Sequence, residues 1–87
     1  MELKDTIELM QSADYKDRFR AEYLQVVIRV RKLKTMLDKW EAGTLEFTPT
    51  CSKETLYGQL TLMFGYIRIL LDRATEEGID LPRVENV

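Results

Sequence analysis

The 87-residue chain is 45% apolar and 32% charged, a composition that predicts one small folded domain rather than a disordered segment. It contains one cysteine and no histidine, so an internal disulfide is excluded and the commonest metal ligand and general base are missing. No apolar run approaches the ~20 residues of a membrane-spanning helix, and the net charge of −2 argues against bulk nucleic-acid binding.

Two helices are predicted in the first half of the chain. A short helix is expected over residues 5–12, with Asp5 as its cap, and the alternative is a frayed N-terminal end. A long helix is expected over residues 13–42, because Ser12 is a favourable N-cap and Gly43 is a residue type that commonly ends a helix.

The long helix carries an apolar seam with alternating steps of four and three residues, typical of an amphipathic helix. The seam consists of Phe19, Tyr23, Val26, Val30, Leu33, Leu37 and Trp40. The helix is also basic, since residues 14–42 hold eight of the 13 basic side chains but only five of the 15 acidic ones. Arg29 lies in its most basic segment, which is either a solvated surface paired with acids or a phosphate-binding patch.

The second half of the chain predicts a loop, a second long helix and a tail. The loop covers residues 43–52, where Pro49 cannot lie inside a helix. The second long helix is expected over residues 53–77 and the tail over residues 78–87. Cys51 is expected to be a buried thiol beside the start of this helix.

The second long helix is apolar on most of its circumference. Between Leu60 and Leu71, only Thr61, Gly65 and Arg68 are not apolar. One partner helix covers about a third of such a surface, so further copies of the chain are expected to cover the rest. The predicted fold is therefore all-α, a long antiparallel helical hairpin with a short N-terminal helix, assembled as a homo-oligomeric bundle.

Gly58 and Gly65 are seven residues apart inside this helix, where each costs about 1 kcal/mol relative to alanine. They indicate close approach of a second helix or, alternatively, of a ligand to the backbone.

The residue types favour binding over catalysis. No serine or cysteine has a plausible base nearby, so we expect no enzymatic activity, no metal and no cofactor. The start of the long helix places an aromatic ring, an arginine and a carboxylate on contiguous surface, a combination that suits an unpaired base. The candidate ligand-binding residues are Tyr15, Arg18, Phe19 and Glu22, with Arg29, Tyr66, Arg68 and Arg73 added from charge and helical face. The alternative is that most of the aromatic residues are core.

Four segments resemble a family of small helical proteins of tailed phages that is common in crAss-like phages. They are residues 14–23 (DYKDRFRAEY), 37–45 (LDKWEAGTL), 47–51 (FTPTC) and 70–79, which contains LLDRA and EGI. That family is similar in plan to the helical-hairpin sponge proteins that phages use against the cyclic-nucleotide immunity of CBASS and Thoeris.

This resemblance implies a phage anti-defence protein of the host bacterial cytoplasm. Such a protein would bind a cyclic di- or trinucleotide, or a cyclic ADP-ribose relative, without cleaving it, in pockets between subunits. Residues Tyr15, Arg18, Phe19 and Glu22 lie in the matching first segment. Two alternatives remain: an adaptor that inhibits a host or phage protein through the same helices, and a nucleic-acid-binding hairpin, which the net charge disfavours.

Overall fold

The computed structural model describes residues 1–83, which form a helical hairpin with a short N-terminal segment packed against it. A 3₁₀ helix, Leu3–Thr6, leads into a one-turn helix α1, Ile7–Met10. The long helices are α2, Tyr15–Ala42, and α3, Lys53–Glu77. The described residues are all-helical and include no strand, and the longest dimension is 43 Å. The predicted all-α hairpin is confirmed for one chain.

Three predicted helix ends are confirmed. Gly43 and Gly78 end α2 and α3 in the left-handed conformation, at φ 76° and 67°. The Ser52 side chain caps α3 by accepting the Thr55 N–H at 3.1 Å. Residues 84–87 of the predicted tail lie outside the described residues.

The predicted start of α2 was wrong by two residues. Asp14 is the N-cap and accepts the Lys16 N–H at 2.9 Å. The Ser12 hydroxyl instead accepts the Asp14 N–H at 3.0 Å and donates to Asp17 at 2.9 Å. Two good capping residues stand close together, and Ser12 is used in the turn that precedes the helix.

The predicted short helix over residues 5–12 was also misplaced. Helical structure begins at Leu3 and ends at Met10. Asp5 does not precede the helix as a cap but lies inside its first turn, where its carboxylate accepts the Glu2 N–H at 2.8 Å. The reciprocal bond of a capping box therefore joins Asp5 to Glu2, one turn earlier than the cap predicted at Asp5.

The seam of α2 meets α3 in two buried clusters. One contains Phe19, Leu70, Ala74 and Ile79, and the other contains Val30, Leu37 and Leu60. A second buried stripe of α2 comprises Ala21, Leu24, Val27 and Ile28. This stripe lies on a different side of the helix from the seam. The N-terminal segment packs against α2, and the Gln25 amide donates a 3.0 Å hydrogen bond to the buried Thr6 hydroxyl.

The closed end of the hairpin is held by charged and aromatic side chains. The Lys53 ammonium lies 5.0 Å from the centre of the Trp40 ring and 3.2 Å from the Glu41 carboxylate. Cys51 is exposed, so the expectation of a buried thiol was wrong. The loop runs over the surface there and leaves no layer of side chains above the thiol.

The outer surface of α3 is not covered by any other part of residues 1–83. Leu62, Ile69 and Phe64 are 76%, 55% and 49% exposed. The apolar circumference predicted from the sequence is therefore real, and the hairpin alone buries only the side that faces α2.

Candidate ligand-binding site

The candidate site lies at the open end of the hairpin, where the first turns of α2 meet the last turns of α3. The antiparallel arrangement brings these two ends together although they are about sixty positions apart in sequence. Arg20 fixes the junction, since its Nε donates to the Asp80 carbonyl at 2.7 Å. Arg18 fixes the preceding turn by donating to the Ser12 carbonyl at 2.8 Å.

Three side chains form a closed hydrogen-bonded ring at this junction. The Tyr15 hydroxyl donates to one Glu77 oxygen at 2.7 Å. Arg73 donates to the Tyr15 hydroxyl at 3.0 Å and, through Nε, to the other Glu77 oxygen at 3.4 Å. Each member therefore has two partners, which restrains all three side chains on a surface that is still open to solvent.

Phe19 lies in the core directly beneath this hydrogen-bonded network of Tyr15, Arg73 and Glu77. Its side chain is 2% exposed, and the Arg73 guanidinium carbon lies 4.9 Å from the centre of its ring. The Tyr15 ring is 6.3 Å from the Phe19 ring and tilted by 58°. Phe19 is thus the buried base of the site, while Tyr15 keeps 45% of its surface exposed for a ligand.

A second pair extends the site along the same edge of the hairpin. The Tyr66 hydroxyl donates to the Glu22 carboxylate, which joins α3 to α2 beyond Phe19. Tyr66 remains 42% exposed. The site therefore has two half-exposed tyrosine rings, each anchored at its hydroxyl by a glutamate.

The hydrogen bonds to glutamates change how the tyrosines titrate. The bond to Glu77 raises the pKa of Tyr15, with a smaller contribution from desolvation. The bond to Glu22 raises the pKa of Tyr66 in the same way. Desolvation works against the charged form of Arg73, but its bonds to Tyr15 and Glu77 outweigh this effect and raise its pKa. Both tyrosines are neutral donors and Arg73 is a cation at neutral pH.

The charges of the site favour particular ligand groups. The two carboxylates, Glu22 and Glu77, outnumber the one cation, Arg73. Carboxylates accept hydrogen bonds from amino groups such as those on the edges of bases, whereas a phosphate needs cations. Arg18 lies four residues before Glu22, and Arg29 lies seven residues after it. These helical spacings place all three residues along one edge of α2.

The structure brings together five of the eight predicted residues: Tyr15, Phe19, Glu22, Tyr66 and Arg73. Arg18 contacts the preceding turn, and Arg29 is exposed farther along α2. Arg68 is 78% exposed and lies 3.8 Å from Asp72. Its position on the helical circumference places it on the far side of α3 from Tyr66 and Arg73.

Sequence reasoning missed Glu77. It lies four residues after Arg73, and this spacing was a detectable sign of an ion pair within one helix turn. Its bond to Tyr15, 62 residues away in sequence, had no local sign.

Other kinds of site find no support in the described part of the chain. Residues 1–83 contain no cluster of three or more metal-ligating side chains. Over the same residues, no helix combines the length and hydrophobicity that crossing a membrane requires.

A comparison with protein-family models gives a match to the family described as Sequestin, over residues 13–76. The match covers about three quarters of the 87 residues. The chain belongs to the Sequestin family. The Sequestin region includes both long helices almost completely, and of the residues that form the site only Glu77 lies outside it. No curated protein and no solved structure matches the chain.

Proposed function

We propose that this protein binds a cyclic-nucleotide immune signal and sequesters it without cleaving it. The signal would be a cyclic di- or trinucleotide or a relative of cyclic ADP-ribose, and the setting would be phage anti-defence in the cytoplasm of a bacterial host, against CBASS or Thoeris signalling. Membership of a family named for sequestration is compatible with this role. The observation that carries the proposal is the pre-formed site in which the Arg73 guanidinium lies over the Phe19 ring and donates to the Tyr15 hydroxyl.

The tyrosine rings would contact the bases of the ligand. Aromatic stacking contributes about 1–3 kcal/mol per base and tolerates different bases, because every base has a π face. Tyr15 and Tyr66 are both about half exposed and both anchored at the hydroxyl. Their rings are therefore restrained before a ligand arrives, which lowers the entropy cost of binding.

The polar groups would read the base edges and the phosphates. Glu22 and Glu77 suit exocyclic amino groups, and Arg73 can turn its free donors toward a phosphate. The excess of carboxylates means that one cation is not enough for a ligand with two phosphates. Arg18 and Arg29, on the same edge of α2, would supply the missing positive charge.

The absence of a catalytic requirement fits the available side chains. A protein that only withdraws a signal needs affinity and abundance, not a nucleophile or a general base. The chain has no histidine, and its single cysteine, Cys51, lies in the loop at the opposite end of the hairpin from the site. We therefore propose a binding protein and no enzyme.

We also propose that the chain assembles into a homo-oligomer. The exposed apolar surface of α3 supports it, since large apolar patches on small proteins usually mark a contact with another protein. Two chains related by a two-fold axis would present the same tyrosines and arginines twice, which suits a cyclic dinucleotide with two bases and two phosphates.

Isothermal titration against a panel of cyclic di- and trinucleotides and cyclic ADP-ribose isomers tests the proposal. We expect tight binding of at least one panel member, and recovery of that compound intact when the complex is heat-denatured and analysed by mass spectrometry. Absence of binding at tens of micromolar across the panel would overturn the proposal. Recovery of a cleaved product would overturn the non-enzymatic part of it.

The second candidate is an adaptor that blocks a host or phage protein. The observation that favours it is the same exposed surface of α3, with Leu62 at 76% exposure. A pull-down from host lysate that recovers a stoichiometric protein partner, together with no small molecule released on heating, would favour the adaptor over the nucleotide-binding role.

A further inference from the structure

One face of α3 alternates glycine with large apolar residues, and no other element of residues 1–83 packs on it. Its residues are Gly58, Leu62, Gly65 and Ile69, separated by steps of four, three and four. Leu62 is 76% exposed and Ile69 is 55% exposed. A Cβ atom added to Gly58 or Gly65 would meet nothing within 4 Å. The hairpin itself therefore gives no reason for either glycine.

These four residues occupy the positions that pair in a two-helix coiled coil. Leu62 and Ile69 are seven apart and share one heptad position, while Gly58 and Gly65 share the position three residues later in the heptad. The same two positions continue to Thr55 at one end and to Asp72 at the other. Glycine at such positions lets two helix backbones approach closely.

The two possible directions of pairing differ sharply in packing. In a parallel pair, like positions meet, so that Leu62 would face Leu62, and Gly65 would face Gly65 across a gap. In an antiparallel pair, each layer combines the two different positions. Leu62 then fills the space above the partner's Gly65, and Ile69 fills the space above the partner's Gly58, so each of these layers contains one large side chain and one vacant position.

The charges favour the same direction. A parallel pair would place Asp72 against the partner's Asp72, a like-charge contact that is destabilising. The antiparallel pair places Asp72 against the partner's Thr55, whose hydroxyl can donate to the carboxylate. On the flanks, Arg68 then lies opposite the partner's Thr61, so these flanking positions add no like-charge contact.

From this self-complementarity we infer that two copies of the chain pair through α3 in antiparallel orientation, with Leu62 and Ile69 of each copy seated on Gly65 and Gly58 of the other. The pairing covers the most exposed apolar side chain of the described residues, Leu62. It also determines which residues of one copy lie near the candidate site of the other.

The pairing makes the site a shared one, an extension that rests on the proposed nucleotide-binding function. Tyr66 lies on the flank of the paired face, at the heptad position beside Leu62. In the antiparallel register this flank lies next to the partner's Gln59, which is exposed in the single chain. A carboxamide both donates and accepts hydrogen bonds, so it adds a reader of base edges next to the Tyr66 ring.

Two glycine substitutions test the pairing without damaging the hairpin. Sedimentation velocity without nucleotide is expected to show that the native chain forms at least a dimer, twice the 10.2 kDa of one chain. Gly65→Leu should at least halve that mass while circular dichroism shows the native helix content, because position 65 is open in the hairpin and leucine favours a helix. Thr35→Leu, which adds the same side chain to an exposed position of α2, should leave the mass unchanged. A Gly65→Leu chain that assembles like the native one would overturn the pairing.

Disulfide cross-linking tests the direction. Equal amounts of Leu62→Cys and Gly65→Cys chains, both carrying Cys51→Ser, should oxidise mainly to the mixed pair. Predominant Leu62→Cys self-pairs would indicate parallel packing and overturn the register. Neither assay contains nucleotide, so the two ideas fail separately. If the protein is a monomer that binds a cyclic nucleotide, only the inferred pairing is overturned. If it is an antiparallel dimer that binds no cyclic nucleotide, only the proposed function is overturned.

Discussion

The guanidinium of Arg73 lies on the buried ring of Phe19, with 4.9 Å between the guanidinium carbon and the ring centre. This contact joins the last turns of α3 to the first turns of α2. It also orients the planar guanidinium, whose donors point to the Tyr15 hydroxyl and the Glu77 carboxylate. A core residue thereby determines the geometry of a surface site.

Replacement of Arg73 by lysine should weaken binding although the charge is retained. A lysine ammonium cannot stack on Phe19 and also donate to both Tyr15 and Glu77, because it lacks the planar fork of arginine. We expect at least a tenfold increase in Kd for the nucleotide that we propose as the ligand, measured by isothermal titration. Arg68→Lys is the matched control, since Arg68 also has an acidic partner four residues later on α3 but lies outside the site. Equal Kd values for Arg73→Lys and the native chain would show that the planar guanidinium of Arg73 is not needed for binding.

Removal of the Tyr15 ring should lower the affinity for the ligand by the contribution of one stacked base. Tyr15→Ala is expected to raise Kd by roughly 5- to 150-fold, corresponding to about 1–3 kcal/mol. Tyr15→Phe keeps the ring and loses only the hydroxyl, so a much smaller change is expected. Tyr57→Ala is the control, because Tyr57 has similar exposure and also bonds to a glutamate, but at the closed end of the hairpin. If both alanine variants change Kd alike, the effect is structural and not due to stacking.

The ring of hydrogen bonds should weaken at alkaline pH. The bond to Glu77 raises the pKa of Tyr15. The folded state therefore holds the Tyr15 proton more tightly than the unfolded chain does. This contribution to stability is complete below the ordinary tyrosine pKa of about 10 and is lost as the pH rises through the raised value.

Ultraviolet titration of the phenolate absorbance measures this effect. Tyr15, Tyr57 and Tyr66 should all titrate above the ordinary value, Tyr57 chiefly because of desolvation. Glu77→Gln should move the Tyr15 contribution, identified by difference against Tyr15→Phe, to lower pH. Titration of Tyr15 at its native pH in Glu77→Gln would show that the bond to Glu77 is not the cause.

The buried Thr6 should hold the N-terminal segment on α2. Its side chain is 1% exposed, donates to the Leu3 carbonyl at 2.7 Å and accepts the Gln25 amide at 3.0 Å. Thr6→Val keeps the shape but removes both hydrogen bonds of the hydroxyl and leaves the Gln25 amide only its weaker contact with the Met10 sulfur at 3.5 Å. This change should lower the free energy of unfolding by about 1–3 kcal/mol. Chemical denaturation measures the change, with Thr35→Val on the exposed surface of α2 as the control. Indistinguishable losses for the two valine variants would assign no special role to Thr6.

The helices and their ends could largely be predicted because they depend on neighbouring residues. Gly43 and Gly78 end the long helices through a conformation that glycine adopts without steric cost, and Ser52 caps α3 through a bond to a residue three positions away. The seven-residue seam of α2 and the apolar circumference of α3 are properties of helical spacing. The start of α2 was misjudged because Ser12 and Asp14 are equally good caps, and a bond from Ser12 to Asp17 decided between them.

The tertiary structure alone decided which side chains meet. Tyr15 and Arg73 are 58 residues apart, and Tyr66 and Glu22 are 44 apart, so their contacts depend on the register between α2 and α3. Helical spacing restricts each residue to a side of its own helix but contains no information on that register, which the packing of Phe19 against Leu70, Ala74 and Ile79 determines. For the same reason Arg68 shares the charge of Arg73 but lies outside the site, because the buried contacts turn its side of α3 away from α2.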